Sequence, residues 1–288
     1  IKEGMAALQQ YKDDANISFA IAPHAPYTVG DDNLAKCKRI AQELGILYHI
    51  HLHETEGEVK ESIAQNHASP SCHLSTQPMS PLDNLNRMGL LDDKVIAVHM
   101  TCLTKEHLDL LAEKKVNIVH CPYSNLKLAS GLCPVAELVK RGVNVAIGTD
   151  STASNNSLDM FAEMKLTACL SKVVVSDPTA IPAQTALRMA TYNGAKTVGL
   201  EDKIGSLETN KFADVVAVRL GQVEHVPLVS VVSQLVYSTN RNDVTDVWVG
   251  GKRMLLNKKL TCIDEQALKA KVALWEQRIR RDKAATKQ

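Results

Sequence analysis

Five short β-branched and apolar runs recur at fairly even spacing, and each carries or leads to a polar residue of a type used in catalysis. Segments with helical periodicity separate these runs. A strand followed by a helix, repeated in this way, is typical of a parallel sheet with covering helices. The runs and their polar residues are Ile17–Ala22 leading to His24, Ile46–Leu52 carrying His51, Val95–Val98 leading to His99, Val116–Val119 leading to His120, and Val143–Ile147 leading to Asp150.

The placement of these polar residues indicates an α/β fold of the (β/α)8 barrel type, because barrel enzymes keep their chemistry at the carboxyl ends of the strands. A closed barrel has eight strand–helix units, and the sequence supplies five of them. The chain opens on Ile1, already inside a predicted helix over Ile1–Tyr11. We therefore expect residues 1–198 to form a partial barrel that carries the catalytic site, with about three units absent.

The composition changes after about Val198, where turn-forming residues become frequent. The sequence predicts that residues 199–262 form part of a small β-sandwich and that residues 263–288 form a charged C-terminal helix. Gly250 and Gly251 are expected to make a hairpin turn within the β-layer. The predicted strands of this layer are Val215–Arg219, Val229–Val236 and Val244–Val249.

Composition and charge exclude several functional classes. The 288 residues are 45% apolar and 23% charged, as in an ordinary globular protein. The net charge of +1 argues against a nucleic-acid partner, and no apolar run is long enough to span a membrane. Seven scattered cysteines without a Cys-x-x-Cys pair are typical of reduced thiols, which predicts a cytoplasmic protein.

Three histidines alternate at the end of the second run, and they make a metal site the favoured hypothesis. In a regular strand His49, His51 and His53 would all point to one face. Periodicity does not decide which of them binds a metal, and a single histidine at a strand end is more often structural. Neutral imidazoles suit zinc, and a carboxylate from another strand would complete the site while leaving a position open for water.

The other candidate residues have two interpretations each. Asp150 is either the N-cap of the next helix or a group free for chemistry, since Ser151–Ser157 offers other caps. Glu54 is either an acid favoured by a helix dipole or a general acid/base. His99 either packs as a buried imidazole or polarises a reacting group, and His24 is a candidate for orienting a substrate.

Some further residues favour a structural role or a loop. We expect His120 to be structural, and no motif supports Cys121 as a nucleophile. Residues 66–81 are rich in Ser and Pro and lack periodicity, which predicts a loop. A solvated loop is therefore the favoured interpretation of His67, Cys72 and His73.

Several stretches of this sequence resemble the amidohydrolase superfamily, and within it the 5-methylthioadenosine/S-adenosylhomocysteine deaminases and their relatives. The ending IGSLETNKFADVVAV at 204–218 is similar to that superfamily's return into its small β-sandwich. The resemblance covers nearly the whole chain. The stretches that carry it are APHAPYTVG at 22–30, HIHLHET at 49–55, IAVHMTCL at 96–103, HCPYSNLKLASG at 120–131 and IGTDSTASNNSLDMFAEM at 147–164.

This resemblance implies a role for each of five residues. The family's strand-five metal ligand falls on His51, and its acid/base glutamate falls on Glu54. The strand-six histidine near the hydrolytic water falls on His99, and the strand-eight aspartate, a metal ligand and proton acceptor, falls on Asp150. His24 matches a substrate-contacting histidine. By this correspondence, the five strands are the fourth to the eighth of the barrel.

The sequence departs from the family's pattern in two places. The family has a first-strand His-x-His pair that supplies two metal ligands, and no such pair occurs upstream of His24. The stretch 67–77 is also longer than the family's usual connection. The two missing ligands make an inactive fragment the first alternative to an active enzyme.

The resemblance implies hydrolytic deamination of adenosine thioethers to the inosine analogues, with release of ammonia. Zinc or another divalent metal, one per subunit, would be the cofactor. The expected partner is a small nucleoside, without nucleic acid or membrane, and the family allows homo-oligomers. The second alternative keeps the chemistry and changes the substrate to another amino-heterocycle, such as guanine or a triazine.

Overall fold

The computed structural model describes residues 1–14, 16–68 and 79–285. Five parallel strands form one sheet in the order β1-β2-β3-β4-β5, so each strand pairs with the next one along the chain. This arrangement confirms the predicted α/β fold with a partial barrel. The strands are β1 Ala20–Ile21, β2 Leu47–Leu52, β3 Val95–His99, β4 Asn117–His120 and β5 Val145–Ile147.

Helices separate these strands at the predicted places. Gly45 adopts a left-handed conformation with a φ of 66° and ends α2. Thr104 caps α5, with the side chain of His107 completing the capping box. The helices are α1 Lys2–Tyr11, α2 Asp31–Leu44, α3 Glu56–Ala68, α4 Pro81–Arg87, α5 Lys105–Lys114, α6 Pro122–Lys127, α7 Val135–Lys140, α8 Met160–Val175, α9 Ala183–Met189, α10 Tyr192–Thr197, α11 Val231–Tyr237 and α12 Glu265–Ala285.

The hydrophobic core lies between the sheet and these helices. In β2 the side chains of Tyr48, Ile50 and Leu52 are buried, whereas those of His49 and His51 remain partly exposed. The buried side chains of β2 belong to one cluster with apolar residues of α2, α4 and α5. This alternation places His49 and His51 on the face of the sheet that turns away from the helices.

The first strand is shorter than its apolar run. Of the predicted Ile17–Ala22, only Ala20–Ile21 pairs, with Leu47 and Tyr48 of β2. Within the described sheet β1 lies at an edge. A strand with one neighbour has hydrogen-bond partners on one side only, so its pairing ends sooner than its sequence pattern does.

A second, antiparallel sheet follows the first. Its strands are β6 Val215–Val218, β7 Val244–Val249, β8 Lys252–Leu256 and β9 Lys259–Leu260, in the order β6-β7-β8-β9. Gly250 and Gly251 connect β7 and β8 with φ values of 55° and 78°, as the sequence predicted. The division of the chain at 198 and 262 stays a prediction.

One predicted strand was wrong. The run Val229–Val236 contains the start of helix α11, and the Ser230 hydroxyl accepts a hydrogen bond from the backbone N–H of Ser233. Val236 is fully buried, and α11 packs against α8 and α9. Packing on these two helices outweighs the strand preference of the β-branched residues, which is a weak local preference.

The prediction of a loop over residues 66–81 was wrong at the two ends of this range. Helix α3 continues to Ala68 and α4 begins at Pro81. His67 therefore lies in a helix, whereas Cys72 and His73 lie outside the described residues. Over the described ranges, we find no helix with the length and hydropathy that a membrane crossing requires.

Gly205 sits where the chain passes from α10 towards the antiparallel sheet, and its φ is 90°. A Cβ at this position would lie 2.6 Å from the Cβ of Ala195 and 3.0 Å from the Cα of Tyr192. Gly205→Ala should therefore destabilise the fold by about 2–4 kcal/mol, measured by urea unfolding. Gly221→Ala is the control, because nothing lies within 4 Å of its Cβ position. Equal stability of the two variants would contradict this steric argument.

The buried histidine at the end of β4 makes stability depend on pH. Burial lowers the pKa of His120 to about 3, and the positive charge of His99 adds to this effect. Its Nδ1 has no hydrogen-bond partner among the described residues. In the unfolded chain the His120 imidazole binds a proton near pH 6.5, whereas in the folded chain it stays neutral down to about pH 3. Protonation therefore favours the unfolded chain, and stability falls as the pH decreases from about 6.5 towards 3.

His120→Leu should remove this dependence, since leucine fills a similar volume and does not titrate. Between pH 6 and pH 5 the free energy of unfolding should decrease less steeply in the variant, by about 1 kcal/mol per pH unit. Urea unfolding at several pH values measures the slope. His53, whose pKa burial lowers to about 4, stays in both proteins and supplies a residual slope. An unchanged slope in the variant would show that His120 is protonated in the folded state.

Candidate active site

The five predicted site residues line one cavity at the carboxyl ends of the parallel strands. Its volume is about 400 Å³. These residues come from the ends of four of the five strands or from the loops just after them, with His51 and Glu54 both supplied by β2 and its loop. The cavity is lined by His24, His51, Glu54, His99, Leu128, Asp150, Ser151, Ala153 and Ser154.

His51 is oriented by a backbone carbonyl. Its Nδ1 lies 2.7 Å from the carbonyl oxygen of His24. A carbonyl oxygen only accepts, so Nδ1 carries the hydrogen and donates it. This leaves the Nε2 lone pair available, in the way that an outer hydrogen bond fixes the tautomer of a metal-binding histidine.

The ring of His24 is fixed in turn by Thr28. The Thr28 hydroxyl donates to the carbonyl oxygen of Ala25 and lies 2.9 Å from Nδ1 of His24. Because the hydroxyl hydrogen is already used, the oxygen accepts from Nδ1–H. The His24 ring then packs 5.0 Å from the ring of His51, measured between centroids.

The expectation that all three alternating histidines share a face was wrong. His53 lies just beyond β2 with a φ of 51°, and its ring is fully buried. Its Nδ1 donates to the carbonyl oxygen of Cys102 at 2.7 Å, and its Nε2 accepts from the backbone N–H of Leu82 at 3.1 Å. The positive φ turns His53 out of the strand's alternation, so both ring nitrogens serve the fold.

His49 does keep the face of His51, and the two ring centroids are 6.1 Å apart. It does not line the cavity. Burial lowers the pKa of His49, with the charges of His51 and His99 adding to the effect. Of the three histidines, His51 is the one whose ring faces the candidate site.

Glu54 is held through its own peptide group. Its backbone N–H donates to the carboxylate of Glu58 at 2.7 Å, and the N–H of His53 donates to the other oxygen at 3.1 Å. The Thr101 hydroxyl donates to the Glu54 carbonyl oxygen at 2.7 Å. The carboxyl of Glu54 extends into the cavity, where its Oε2 lies 3.7 Å from Nε2 of His99.

Glu58 is a residue that the sequence reasoning missed. Its backbone N–H donates to the Thr55 hydroxyl at 3.1 Å, and its side chain reaches back to the chain before the helix. Burial raises its pKa, although the three hydrogen bonds at this turn act in the opposite direction. The signal was present in the sequence, because Thr55 followed three residues later by Glu58 is a helix-capping pattern.

His99 is buried at the end of β3, with a φ of 77°. Its Nδ1 lies 2.8 Å from Oδ1 of Asn125, which only accepts, so Nδ1 donates. The ring stacks on that of His51 with centroids 5.5 Å apart. Asn125 was also missed, and an asparagine in a short helix offers no sequence pattern that would have revealed it.

Asp150 follows β5 and receives two hydroxyl hydrogen bonds on one oxygen. Its Oδ2 accepts from Ser124 at 2.7 Å and from Ser154 at 2.5 Å. Burial alone would raise the pKa of Asp150, but these hydrogen bonds hold it below its ordinary value. The carboxylate is therefore ionised at neutral pH and faces the cavity.

Asp150 is not the cap of the following helix. Helix α8 begins later, and its N-cap is Asp159, whose carboxylate accepts from the backbone N–H of Phe161 at 3.0 Å. The expected caps within Ser151–Ser157 are not used for α8. That segment instead forms a loop around Asp150, in which the Ser151 carbonyl oxygen accepts from the N–H of Asn155 at 2.8 Å.

The remaining candidates lie away from the cavity. His120 and Cys121 are buried and do not line it. Burial raises the pKa of the Cys121 thiol, and the charges of Asp150 and Glu163 add to this effect. A thiol of this kind is a poor nucleophile, because the thiolate is the reactive form.

Two of the cavity residues have the donor chemistry that zinc accepts. The Nε2 of His51 and the carboxylate of Asp150 are typical zinc ligands, and catalytic zinc sites use three protein ligands with an open position. Over the described residues, no group of three or more His, Cys, Asp and Glu side chains is arranged to hold a metal ion. These residues therefore fit part of a zinc donor set.

Comparison with known proteins extends this picture. The model of the amidohydrolase family matches residues 1–254. A 5-methylthioadenosine/S-adenosylhomocysteine deaminase of Teredinibacter turnerae is 43% identical over 279 residues, which is 97% of this chain and 61% of that protein. A 5'-deoxyadenosine deaminase of Methanosphaera stadtmanae is 40% identical over 253 residues, covering 88% of this chain and 56% of that protein.

Solved structures show the same fold. An adenosine deaminase from Xanthomonas campestris with bound zinc has a TM-score of 0.91 and 47% identity, covering 97% of this chain and 61% of that one. An atrazine chlorohydrolase from Arthrobacter aurescens complexed with zinc has a TM-score of 0.81 at 22% identity, covering 95% of this chain and 58% of that one. The second likeness concerns the fold alone.

The chain spans about 60% of the length of these curated relatives. Over that span the family match includes the parallel sheet with its cavity and strands β6 and β7 of the antiparallel sheet, since it extends to residue 254. The predicted resemblance is thereby confirmed. The chain belongs to the amidohydrolase family.

Proposed function

We propose that the protein is a metal-dependent deaminase that removes the amino group of adenosine thioethers, such as 5'-methylthioadenosine and S-adenosylhomocysteine, by hydrolysis. The observation that carries this proposal is the single cavity that combines His51, Glu54, His99 and Asp150. An imidazole, a partly buried acid and an ionised aspartate at strand ends are the groups that such a reaction needs. The deaminases that resemble this chain over nearly its whole length support the same activity.

His51 and Asp150 are the residues that would hold the metal, through Nε2 and the carboxylate. We favour zinc, one ion per subunit, because zinc is bound in the adenosine deaminase from Xanthomonas campestris that this chain resembles. When bound, zinc lowers the pKa of a coordinated water to about 7 and so supplies hydroxide at neutral pH. The His24 carbonyl accepts from Nδ1–H of His51, so in the neutral ring the lone pair lies on Nε2, as this ligand role requires.

Side chains of this protein would then transfer the protons of the reaction. Asp150 takes a proton from the attacking water, since its low pKa keeps it ionised and its two serine donors fix its orientation. Glu54 protonates the purine ring nitrogen, so charge does not accumulate on the ring as the amino-bearing carbon is attacked. His99 orients the attacking oxygen. The proton taken up by Asp150 passes to the amino nitrogen, which leaves the tetrahedral carbon as ammonia, and the hydroxyl proton returns to Glu54 as the carbonyl group forms.

Substrate contact and location complete the proposal. His24 would contact the nucleoside, with its ring held by Thr28. A cytoplasmic location agrees with the free cysteines of the described chain, which include Cys37, Cys121 and Cys133. A homo-oligomer is part of the proposal, in line with the family resemblance.

The substrate class is tested on the product of the complete reading frame, purified with zinc. The coding DNA upstream of Ile1 is read first, and an in-frame His-x-His at the end of an apolar strand is expected. The protein should then release ammonia from 5'-methylthioadenosine, with loss of the adenine absorbance. Turnover of guanine or a chlorotriazine without turnover of any adenosine thioether would overturn the substrate class. Absence of all three activities would overturn the enzyme proposal.

The acid role of Glu54 has a separate test in the same protein. Glu54→Gln should lower kcat by about 10²- to 10⁴-fold, as loss of a general acid does, and should leave the zinc content unchanged. Glu56→Gln is the matched control, because Glu56 is exposed and pairs only with Lys60 on the surface of α3. A Glu54→Gln enzyme with more than a tenth of the original kcat would contradict the role.

A further inference from the structure

A buried carboxylate outside the cavity connects two of its walls. Glu163 lies in the first turn of α8, and its side chain is fully buried. One oxygen accepts from the backbone N–H of Tyr123 at 3.1 Å, and the other accepts from the side-chain amide of Asn155 at 2.6 Å. Tyr123 lies in the first turn of α6, and Asn155 belongs to the loop after β5.

The hydrogen bond to Asn155 connects Glu163 to the loop that carries Asp150. The same amide nitrogen of Asn155 donates to the carbonyl oxygen of Thr149 at 2.7 Å. Thr149 immediately precedes Asp150, and the Asn155 backbone N–H closes the loop on the Ser151 carbonyl. Glu163 therefore fixes the loop that carries the carboxylate of Asp150.

The hydrogen bond to Tyr123 connects Glu163 to the segment that contacts both Asp150 and His99. The next residue, Ser124, donates its hydroxyl to Asp150. The residue after it, Asn125, accepts from Nδ1 of His99. A displacement of the first turn of α6 would therefore move the partners of two cavity residues at once.

We propose that Glu163 is a positioning residue, which sets the placement of Asp150 relative to His99 by joining the loop after β5 to the start of α6. The inference rests on the proposed deaminase function for its meaning in catalysis, and on the hydrogen bonds alone for its structural part. Neither Tyr123 nor Asn155 lines the cavity, so Glu163 acts through them without touching substrate.

The chemistry of the two partners requires a carboxylate. Both present N–H groups, and an ionised carboxylate accepts at both oxygens without donating. Glutamine in its place would accept a hydrogen bond from one partner through its carbonyl oxygen, but its amide NH2 would face the N–H of the other partner. Burial raises the pKa of Glu163 to about 7, so this buried charge is costly. A role in joining the two segments explains why an acid occupies a place that an apolar side chain would fill at lower cost.

The first test does not depend on activity. The ring nitrogen signals of His99 and the side-chain amide signals of Asn155 are recorded by NMR on the 288-residue chain. Glu163→Gln should shift the signals of both residues. Asp159→Ala is the control, because it removes the side-chain cap of α8 at a cost of about 1 kcal/mol and leaves the two hydrogen bonds of the Glu163 carboxylate in place. Unchanged signals in a folded Glu163→Gln chain would overturn the proposal.

Asn155→Ala removes the hydrogen bond between Asn155 and Glu163 by changing the donor. It replaces Glu163→Gln as the test variant if Glu163→Gln does not fold. It should disturb the amide signals of Ser151 and Asp150 in the same experiment. The double variant should lose less stability than the sum of the two single changes, since both changes remove the same hydrogen bond. Signals of this loop that match those of the unmodified chain would contradict the role of the connection.

The second test uses the zinc-loaded product of the complete reading frame. Glu163→Gln should lower kcat by about 10- to 100-fold, as small displacements of reacting groups do, and should change KM by less than about threefold. Asp159→Ala should leave kcat within about twofold. Equal losses of kcat in the two variants would show that Glu163 only stabilises the fold, which would overturn its positioning role. If the unmodified protein shows no deaminase activity, the proposed function fails while the NMR result still decides the structural part.

Discussion

Parallel pairing of the strands fixes which side chains meet at the candidate site. The register places His51 opposite Val98 and Leu52 opposite His99, so neighbouring strands end at nearly the same level. The residues just beyond those ends then reach a common cavity, although their positions in the sequence lie far apart. A shift of one residue in β2 would turn His51 towards the core and the apolar side chains towards the cavity.

The loops that carry the site depend on carboxylates from the surrounding helices. Glu58 of α3 accepts the N–H groups of His53 and Glu54, and Glu163 of α8 accepts those of Tyr123 and Asn155. Burial raises the pKa of both acids. Backbone N–H groups in a tight loop need an acceptor, and Glu58 supplies it for two consecutive residues. Glu163 joins two separate segments, through one backbone N–H and one side-chain amide. The placement of the loops around the cavity therefore depends on the helix layer.

The features that could be predicted from the sequence are those set by neighbouring residues. Alternation and turn chemistry located the strands and the hairpin at Gly250. The direction of His53 could not be predicted, because a single positive φ beyond the strand decides it. Helix α11 replaced the strand expected over Val229–Val236, since its packing on α8 and α9 is set by residues distant in sequence. Asn125 and Glu163 have no local pattern at all, as their partners are brought to them only by the fold.

Three residues at strand ends next to the candidate site have left-handed backbone conformations. His53, His99 and Asp150 have φ values of 51°, 77° and 59°, a region that residues other than glycine adopt at a cost of about 1–3 kcal/mol. Such conformations persist only where other contacts compensate for them. Here the N–H of His53 is bound by Glu58, the ring of His99 is bound by Asn125, and Asp150 receives two hydroxyl donors. The hydrogen bonds that hold the His99 ring and the Asp150 carboxylate at the cavity therefore also offset the cost of these backbone conformations.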